Sequence, residues 1–346
     1  MTLEKQTPFD KYFHEQAVSL SQVSLTKIQE CIFHFWKYAE SKIKSEFISA
    51  PVMSYDFHLQ GQQPKLIEIN TSAAGYILTA NSGRYGVSAE DFSKKITEIF
   101  NIEAAGLKNI AIVDENVKAQ FFYEEFEILK NILNSHGFNV FILSPEQIIA
   151  KSDYLYFENH KIDFIYWRHT DFLLANFPHI KKSYQNGSVK VSPTPELFSL
   201  LSDKSNMIYW SQTFDESSLQ SSQFAQVLLP TQLITTVNAD ALWTDRKNWV
   251  FKPQALYGGK GVYLGKKLSK PKWDEIVATG NYLAQAYVPP LEINIDGDGN
   301  KEKIKADLRA YVWRDELLLL IARGYSGQIT NFRSEGSGFY PIKLEV

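Results

Sequence analysis

Glu68 and Asn70 stand two residues apart in "KLIEINTSAAG", residues 65 to 75. Side chains alternate along a strand, so this carboxylate and this carboxamide share one face. Leu66, Ile67 and Ile69 read as the buried positions, and the small residues Thr71, Ser72, Ala73, Ala74 and Gly75 follow. Two oxygen-bearing side chains at a strand end suit a hard cation; a solvated strand face would carry the same residues. A second group lies in "FKPQALYGGKGVYLG". Lys252 closes an apolar strand, and Gly258, Gly259 and Gly261 let backbone N–H groups converge on an anion. The loop does not lead through Gly-Lys-Ser/Thr into a helix, and strand-like residues follow it, so it is neither a P-loop nor a Rossmann turn. The alternative is a flexible glycine hairpin.

A third group occupies "ADLRAYVWRDELLLLIARGYSGQITNFRSEGSG". Asp307 and Arg309 share a strand face, Arg323 lies near the end of the next strand, and Asn331 follows. These types suit phosphate and metal, although alternating charges also mark a solvated sheet face. In "YLAQAYVPP", Pro289 and Pro290 lack N–H groups and stop the strand. Gln285, Tyr287 and Val288 then stand where free backbone groups can meet a flat ring such as adenine; a plain strand end reads the same way. "LEIN" at 291–294 repeats the first motif, but a turn rich in Asp-Gly follows it. Asp296, Asp298 and Asn300 imitate a calcium loop that fails where Lys301 replaces the required glycine. The seven histidines, His58 among them, show no metal-ligand spacing and no triad partner.

The elements that must position these groups alternate along 346 residues. Residues 8 to 47 read as helical, with Val18, Val23, Ile28, Phe35 and Tyr38 on one apolar face. "GQQP" turns one strand into the next. From residue 107, strands such as "KNIAIVDEN" and "FNVFIL" flank the amphipathic "FFYEEFEILKNILNSHG", a pattern that predicts a parallel sheet with helices packed on it. This unit ends near Pro193 and Pro195, and the remainder is strand-rich. Net charge is −3, which offers no basic field for nucleic acid. The single Cys31 fits a reducing compartment, and no apolar run is long enough to span a bilayer. The expectation is a cytoplasmic protein with no nucleic-acid or membrane partner, acting on small molecules, with a homodimer permitted.

In this order the motifs resemble the ATP-grasp ligases, with the Glu-x-Asn strand first instead of last. That circular permutation is similar to eukaryotic-type glutathione synthetase. "SPTPELFSLLSDKSNM" looks like the helix carrying that family's first ATP lysine, here Lys204. "WVFKPQALYGGKG" looks like its second lysine and glycine loop, and "IDFIYWRHTDF" like a strand of its inserted substrate domain. The resemblance implies an α/β (α+β) chain with a circularly permuted ATP-grasp fold. Residues 1–106 would give the N-terminal helices and metal strand, 107–195 an inserted Rossmann-like parallel-sheet substrate domain, and 196–346 the rest of the ATP-binding unit.

The resemblance also implies an ATP- and Mg²⁺-dependent carboxylate–amine ligase acting through an acyl phosphate. Lys204, Lys252, Gly258, Gly259, Gly261, Gln285, Tyr287, Val288 and Asn331 would bind ATP, and Glu68 and Asn70 would hold metal. Arg323 and Arg309 would stabilise the acyl phosphate, and Ser72 and Arg168 would contact substrate. The family's glycine loop carries a metal-binding glutamate that "QALYGG" lacks, so Asp56 or Asp307 would have to replace it. The chain is shorter than the eukaryotic enzymes, and γ-glutamylcysteine with glycine is expected to be a poor substrate pair. The alternatives are a phosphotransferase and a non-catalytic nucleotide- or peptide-binding relative.

Overall fold

The computed structural model describes residues 8–345 apart from 46, 214–224, 255–258, 260, 297–300, 329, 331 and 333. Its large sheet has the order β1 (Val18–Ser21), β18 (Gly338–Glu345), β17 (Glu316–Tyr325), β16 (Lys301–Trp313), β2 (Met53–Gln60), β3 (Gln63–Asn70), and β15 (Leu291–Asp296) also pairs with β16. A parallel sheet has the order β10 (Lys190–Ser192), β9 (Phe164–Trp167), β4 (Asn109–Val113), β5 (Asn139–Leu143). A smaller antiparallel sheet runs β11 (Thr231–Leu233), β14 (Tyr282–Ala286), β12 (Trp249–Pro253), β13 (Tyr263–Leu264). β6 (Ile149–Lys151), β7 (Tyr154–Phe157) and β8 (His160–Ile162) form a three-stranded meander.

Local chemistry explains these elements. Gly61, at φ +62°, takes the left-handed turn position between β2 and β3. β4 and β9 are almost wholly buried apolar runs, as parallel strands covered on both faces must be. Helix α4 (Tyr123–Ser135) crosses from β4 to β5 and ends before Gly137 at φ +82°. The expected long N-terminal helix is shorter. Helix α1 spans Gln22–Lys42, because the Ser21 hydroxyl accepts from the Ser24 N–H and starts it there. Val18 is therefore not on a helix face; it belongs to β1, which pairs in parallel with β18.

The helices α2 (Tyr76–Asn81), α3 (Ala89–Glu103) and α4 form a layer between the large and parallel sheets. Phe92, Ile96 and Phe100 of α3 share one apolar core with Ile110 and Phe164 on one side and Tyr311 and Ile321 on the other. The smaller sheet has its own core, built on Ile234, Phe251, Trp273 and Ile276. Among the described residues no helix is long and apolar enough to cross a membrane.

Candidate active site

β3 is the last strand of the large sheet, and on its outer edge Leu66 N–H donates to Val227 O at 2.8 Å. Its pairing with β2 slips by one residue, so Asp56 faces Glu68 while Phe57 faces Leu66. Ile67 is the extra, bulged residue. Leu66 and Ile69 are buried as expected, but Ile67 is half-buried and lines a cleft. Its carbonyl accepts from Lys252 Nζ at 3.1 Å and from Gln285 Nε2 at 3.4 Å, joining β3 to β12 and β14.

The cleft between the two sheets has a volume of about 420 Å³. Lys204, Lys252, Gly259, Gln285, Tyr287 and Val288 line it from the smaller sheet and its approaches. Asp56, Glu68, Asn70, Asp307, Arg309 and Arg323 line it from the large sheet, and Ser72 and Arg168 lie at its far end. Residues spread over most of the sequence are thus brought to one cavity. Gly261 takes a left-handed conformation (φ +71°) but is not among the lining residues. Gly258 and Asn331 lie outside the described residues. Glu292, of the repeated "LEIN", is exposed on β15 and paired with Lys303, so that copy of the motif does not reach the cleft.

Lys252 is 5 % exposed. Burial lowers its pKa to about 8, Glu68 pulls the other way, and nearby Lys204 adds to the lowering. Such a cation is poised for an anion. Lys204 sits between the helical turn Phe198–Ser202 and the helix Asn206–Thr213. Ser202 anchors that segment to the turn after β3: Thr71 N–H donates to Ser202 Oγ at 2.8 Å, and the two hydroxyls lie 3.1 Å apart.

At the hinge, Ala286 N–H donates to Pro230 O and Tyr287 N–H to Asn248 O, each at 2.8 Å. These two amides are therefore not free for a ring, contrary to the reading from sequence. Val288 supplies the remaining N–H before the two prolines, and its carbonyl accepts from His58 Nδ1 at 2.7 Å. The sequence reading passed over His58, which lines the cleft two residues after Asp56 on the same strand face.

Arg309 donates through Nε and Nη2 to the two oxygens of Asp56, both at 2.7 Å. Arg323 donates from Nε and Nη2 to Asp307 at 2.7 and 2.9 Å, and from Nη2 to Asp56 at 2.9 Å. The pairs follow from register, since Arg309 faces Asp56 and Arg323 faces Asp307 across adjacent strands. Burial alone would raise the Asp56 pKa, but the two guanidinium groups hold it below its ordinary value. Asp307 also accepts from Thr330 at 2.6 Å. Asp56 and Asp307, expected to stand in for the missing loop glutamate, line the cleft close to Arg309 and Arg323 and are hydrogen-bonded to them. Among the described residues no three of His, Cys, Asp and Glu cluster as metal ligands. Beside the two aspartates, Glu68 and Asn70 offer oxygens to a hard cation, with Asn70 Nδ2 donating to Glu68 Oε1 at 3.3 Å.

The turn after β3 is pinned from several elements. Arg168 Nη1 donates to Ser72 Oγ and Ala73 O at 2.9 and 2.8 Å, and the Tyr311 hydroxyl to Ala74 O at 3.0 Å. Glu125, buried in α4, accepts from the Gly75 and Ile77 N–H groups at 2.9 Å each, capping α2. Gly75 sits at φ +97°, and a Cβ there would lie 2.6 Å from the Tyr311 hydroxyl. Nothing in the sequence pattern marks Glu125 or Tyr311, because their partners are 50 and more than 200 residues away.

Two solved structures are similar over nearly the whole chain. One is a protein assigned as gamma-glutamylcysteine synthetase from Methylobacillus flagellatus KT, with TM-score 0.57 and 13% identity over 94% of this chain and 88% of that one. The other is a glutathione synthetase-like effector from Globodera pallida, with TM-score 0.56 and 11% identity over 95% and 89%. The fold is ATP-grasp, of the glutathione-synthetase-like kind. No family model matches the chain, and no curated protein matches it in sequence. In this ATP-grasp fold the cleft is the space between the two sheets, with Lys252 on one wall, Glu68 and Asn70 on the other, and Lys204 on a segment tied to the turn after β3.

Proposed function

We propose that the chain is an ATP- and magnesium-dependent carboxylate–amine ligase that releases ADP and phosphate. One observation carries this reading: Lys204 and Lys252, the Glu68–Asn70 pair and two fixed arginines face a single cleft. The order of elements supports a circular permutation, since β3 precedes the lysine strand β12. Lys204 and Lys252 would hold the α- and β-phosphates, and the amide of Val288 would meet the adenine edge. Glu68 and Asn70 offer hard oxygens and would hold magnesium, with phosphate oxygens filling the other positions. When bound, the ion neutralises polyphosphate charge.

A substrate carboxylate oxygen would take the γ-phosphoryl group, releasing ADP. An amine nitrogen would then bond to the acyl carbon as phosphate leaves. The chain's task is positioning and charge neutralisation. Arg309 and Arg323, held rigid by Asp56 and Asp307, would present donors to the acyl phosphate and the tetrahedral oxyanion. Arg168, at the end of β9, would grip a carboxylate of the second substrate, beside Ser72.

A non-catalytic nucleotide-binding relative is the second reading. It is favoured by one fact: with Asp56 and Asp307 engaged, Glu68 is, among the described residues, the one cleft carboxylate paired with no guanidinium group. Incubation with MgATP, candidate carboxylates and hydroxylamine tests both readings and the phosphotransferase alternative. Hydroxamate with equimolar ADP is expected. ADP without hydroxamate would indicate phosphotransfer, and ATP binding without ADP release would indicate the non-catalytic relative.

A further inference from the structure

The end of the cleft farthest from the smaller sheet differs from the rest. The turn Thr71–Gly75 is its floor, and its walls carry Phe122, Phe172, Phe198, Phe332 and Phe339. Contacts place these rings there. Phe339 lies 3.0 Å from where a Gly75 Cβ would be, and Phe332 packs on Phe339 and Phe122 with ring centroids at 4.9 and 6.1 Å. Phe172 lies on the loop that follows Arg168 and stacks on Phe198 at 4.6 Å.

Outside the central arginine–aspartate cluster, Arg168 is the charged side chain among the described residues lining this end. Its Nη1 is bound by Ser72, Ala73 and Tyr166, while its buried Nε has no protein partner. Two carboxylates, Glu125 and Asp114, are close enough to act on Arg168, but neither lines the cleft, and Glu125 is turned onto the amides at the start of α2. Phe122 and Phe332 are partly exposed, with Phe172, Phe198 and Phe339 buried behind them, so among the described residues the compartment offers one cation for a carboxylate, apolar rings for a body, and no carboxylate for an extra ammonium group.

Resting on the ligase reading above, we propose that this compartment holds an amino acid or short peptide with a single free carboxylate and a large apolar side chain, of the leucine or phenylalanine class. The carboxylate takes the guanidinium group of Arg168 beside Ser72. The side chain lies among the phenylalanines, where burial of apolar surface favours it and a second charge would meet no counter-ion. The amine, two bonds from the carboxylate, then faces Asn70 and Arg309.

Calorimetry on the full chain loaded with magnesium and a non-hydrolysable ATP analogue tests this. Ligands are phenylalanine, leucine, Gly-Phe and Gly-Leu against glycine, Gly-Gly, γ-glutamylcysteine and phenylalaninamide. The apolar acids should bind at least tenfold more tightly than the glycine ligands and at least tenfold more tightly than phenylalaninamide. Phe122→Ala should narrow the first ratio without changing analogue affinity. Equal binding of glycine or γ-glutamylcysteine, equal binding of the amide, or no binding by any ligand would overturn the proposal. ADP release with glycine or γ-glutamylcysteine alone would sink it while sparing the ligase reading. Tight apolar binding with no ADP release and no hydroxamate would do the reverse.

Discussion

Lys252 gives the sharpest quantitative test, because its burial has opposite consequences for stability and for binding. Its pKa falls from the ordinary 10.5 to about 8. At about 1.4 kcal/mol per pH unit, charging it in the folded chain costs about 3 kcal/mol. The folded pKa lies below the unfolded one, so between the two the unfolded chain binds more protons and wild-type stability rises with pH. Below about pH 8 both states are charged and the cost is constant. Methionine fills similar volume without charge, and Ile67 O keeps Gln285 Nε2 as a donor. Lys252→Met should therefore be more stable than wild type at pH 7 in urea unfolding, by up to about 3 kcal/mol. That advantage should shrink by about 2 kcal/mol between pH 7 and pH 9.5. The same variant should bind ATP at least about tenfold more weakly, roughly 1.4 kcal/mol. Wild-type calorimetry in two buffers at pH 9 should show proton uptake on ATP binding, as the phosphates recharge the lysine. A variant less stable than wild type at pH 7, with unchanged ATP affinity, would refute the assignment of Lys252 as a buried phosphate-binding cation.

Three further outcomes are expected. Glu68→Gln should abolish ATP turnover without unfolding the chain, whereas the exposed Glu292→Gln should lower it only modestly; initial-rate assays showing the reverse would move the metal site to β15. Asp56→Asn leaves two buried guanidinium groups short of a counter-charge and should destabilise the fold by about 3–5 kcal/mol in denaturant unfolding, so a near-neutral effect would mean the pairs are solvated. Gly75→Ala forces a side chain into a left-handed conformation against Tyr311 and should cost about 1–3 kcal/mol. Adding Tyr311→Phe should recover part of that loss in thermal unfolding, and no recovery would show the strain to be purely backbone.

Much of this site was legible because strand periodicity is a local property. Glu68 with Asn70 and Asp307 with Arg309 could be placed on shared faces from their spacing alone, and the structure sets each pair into the cleft wall. The Ile67 bulge was not legible, since it arises from pairing with β2, and it moves one apolar side chain from the core to the cleft. Pairing partners were equally hidden. That Arg309 meets Asp56 depends on two strands 253 residues apart. The N-terminal stretch was read as one long helix because Val18 fits an apolar helix face, but its burial comes from β18 at the other end of the chain. Fold class was the easier inference, since alternating elements between residues 107 and 195 require only local patterns.

The two walls of the cleft are tied to the rest of the chain in very different ways. The Arg168 end is welded: α2, α3 and α4 bury one continuous apolar core against both sheets, so parting those sheets means exposing it. The smaller sheet has a core of its own; Lys252 and Gln285 link it to Ile67 and Val288 to His58, while Val227 and Leu228, just before β11, pack into the apolar core of the large sheet. Parting β12 and β14 from β3 breaks hydrogen bonds that water can replace, and leaves the core around α2, α3 and α4 intact. In the proposed ligase the smaller sheet would be the wall that yields, so that ADP would give way to ATP without dismantling the compartment at the Arg168 end.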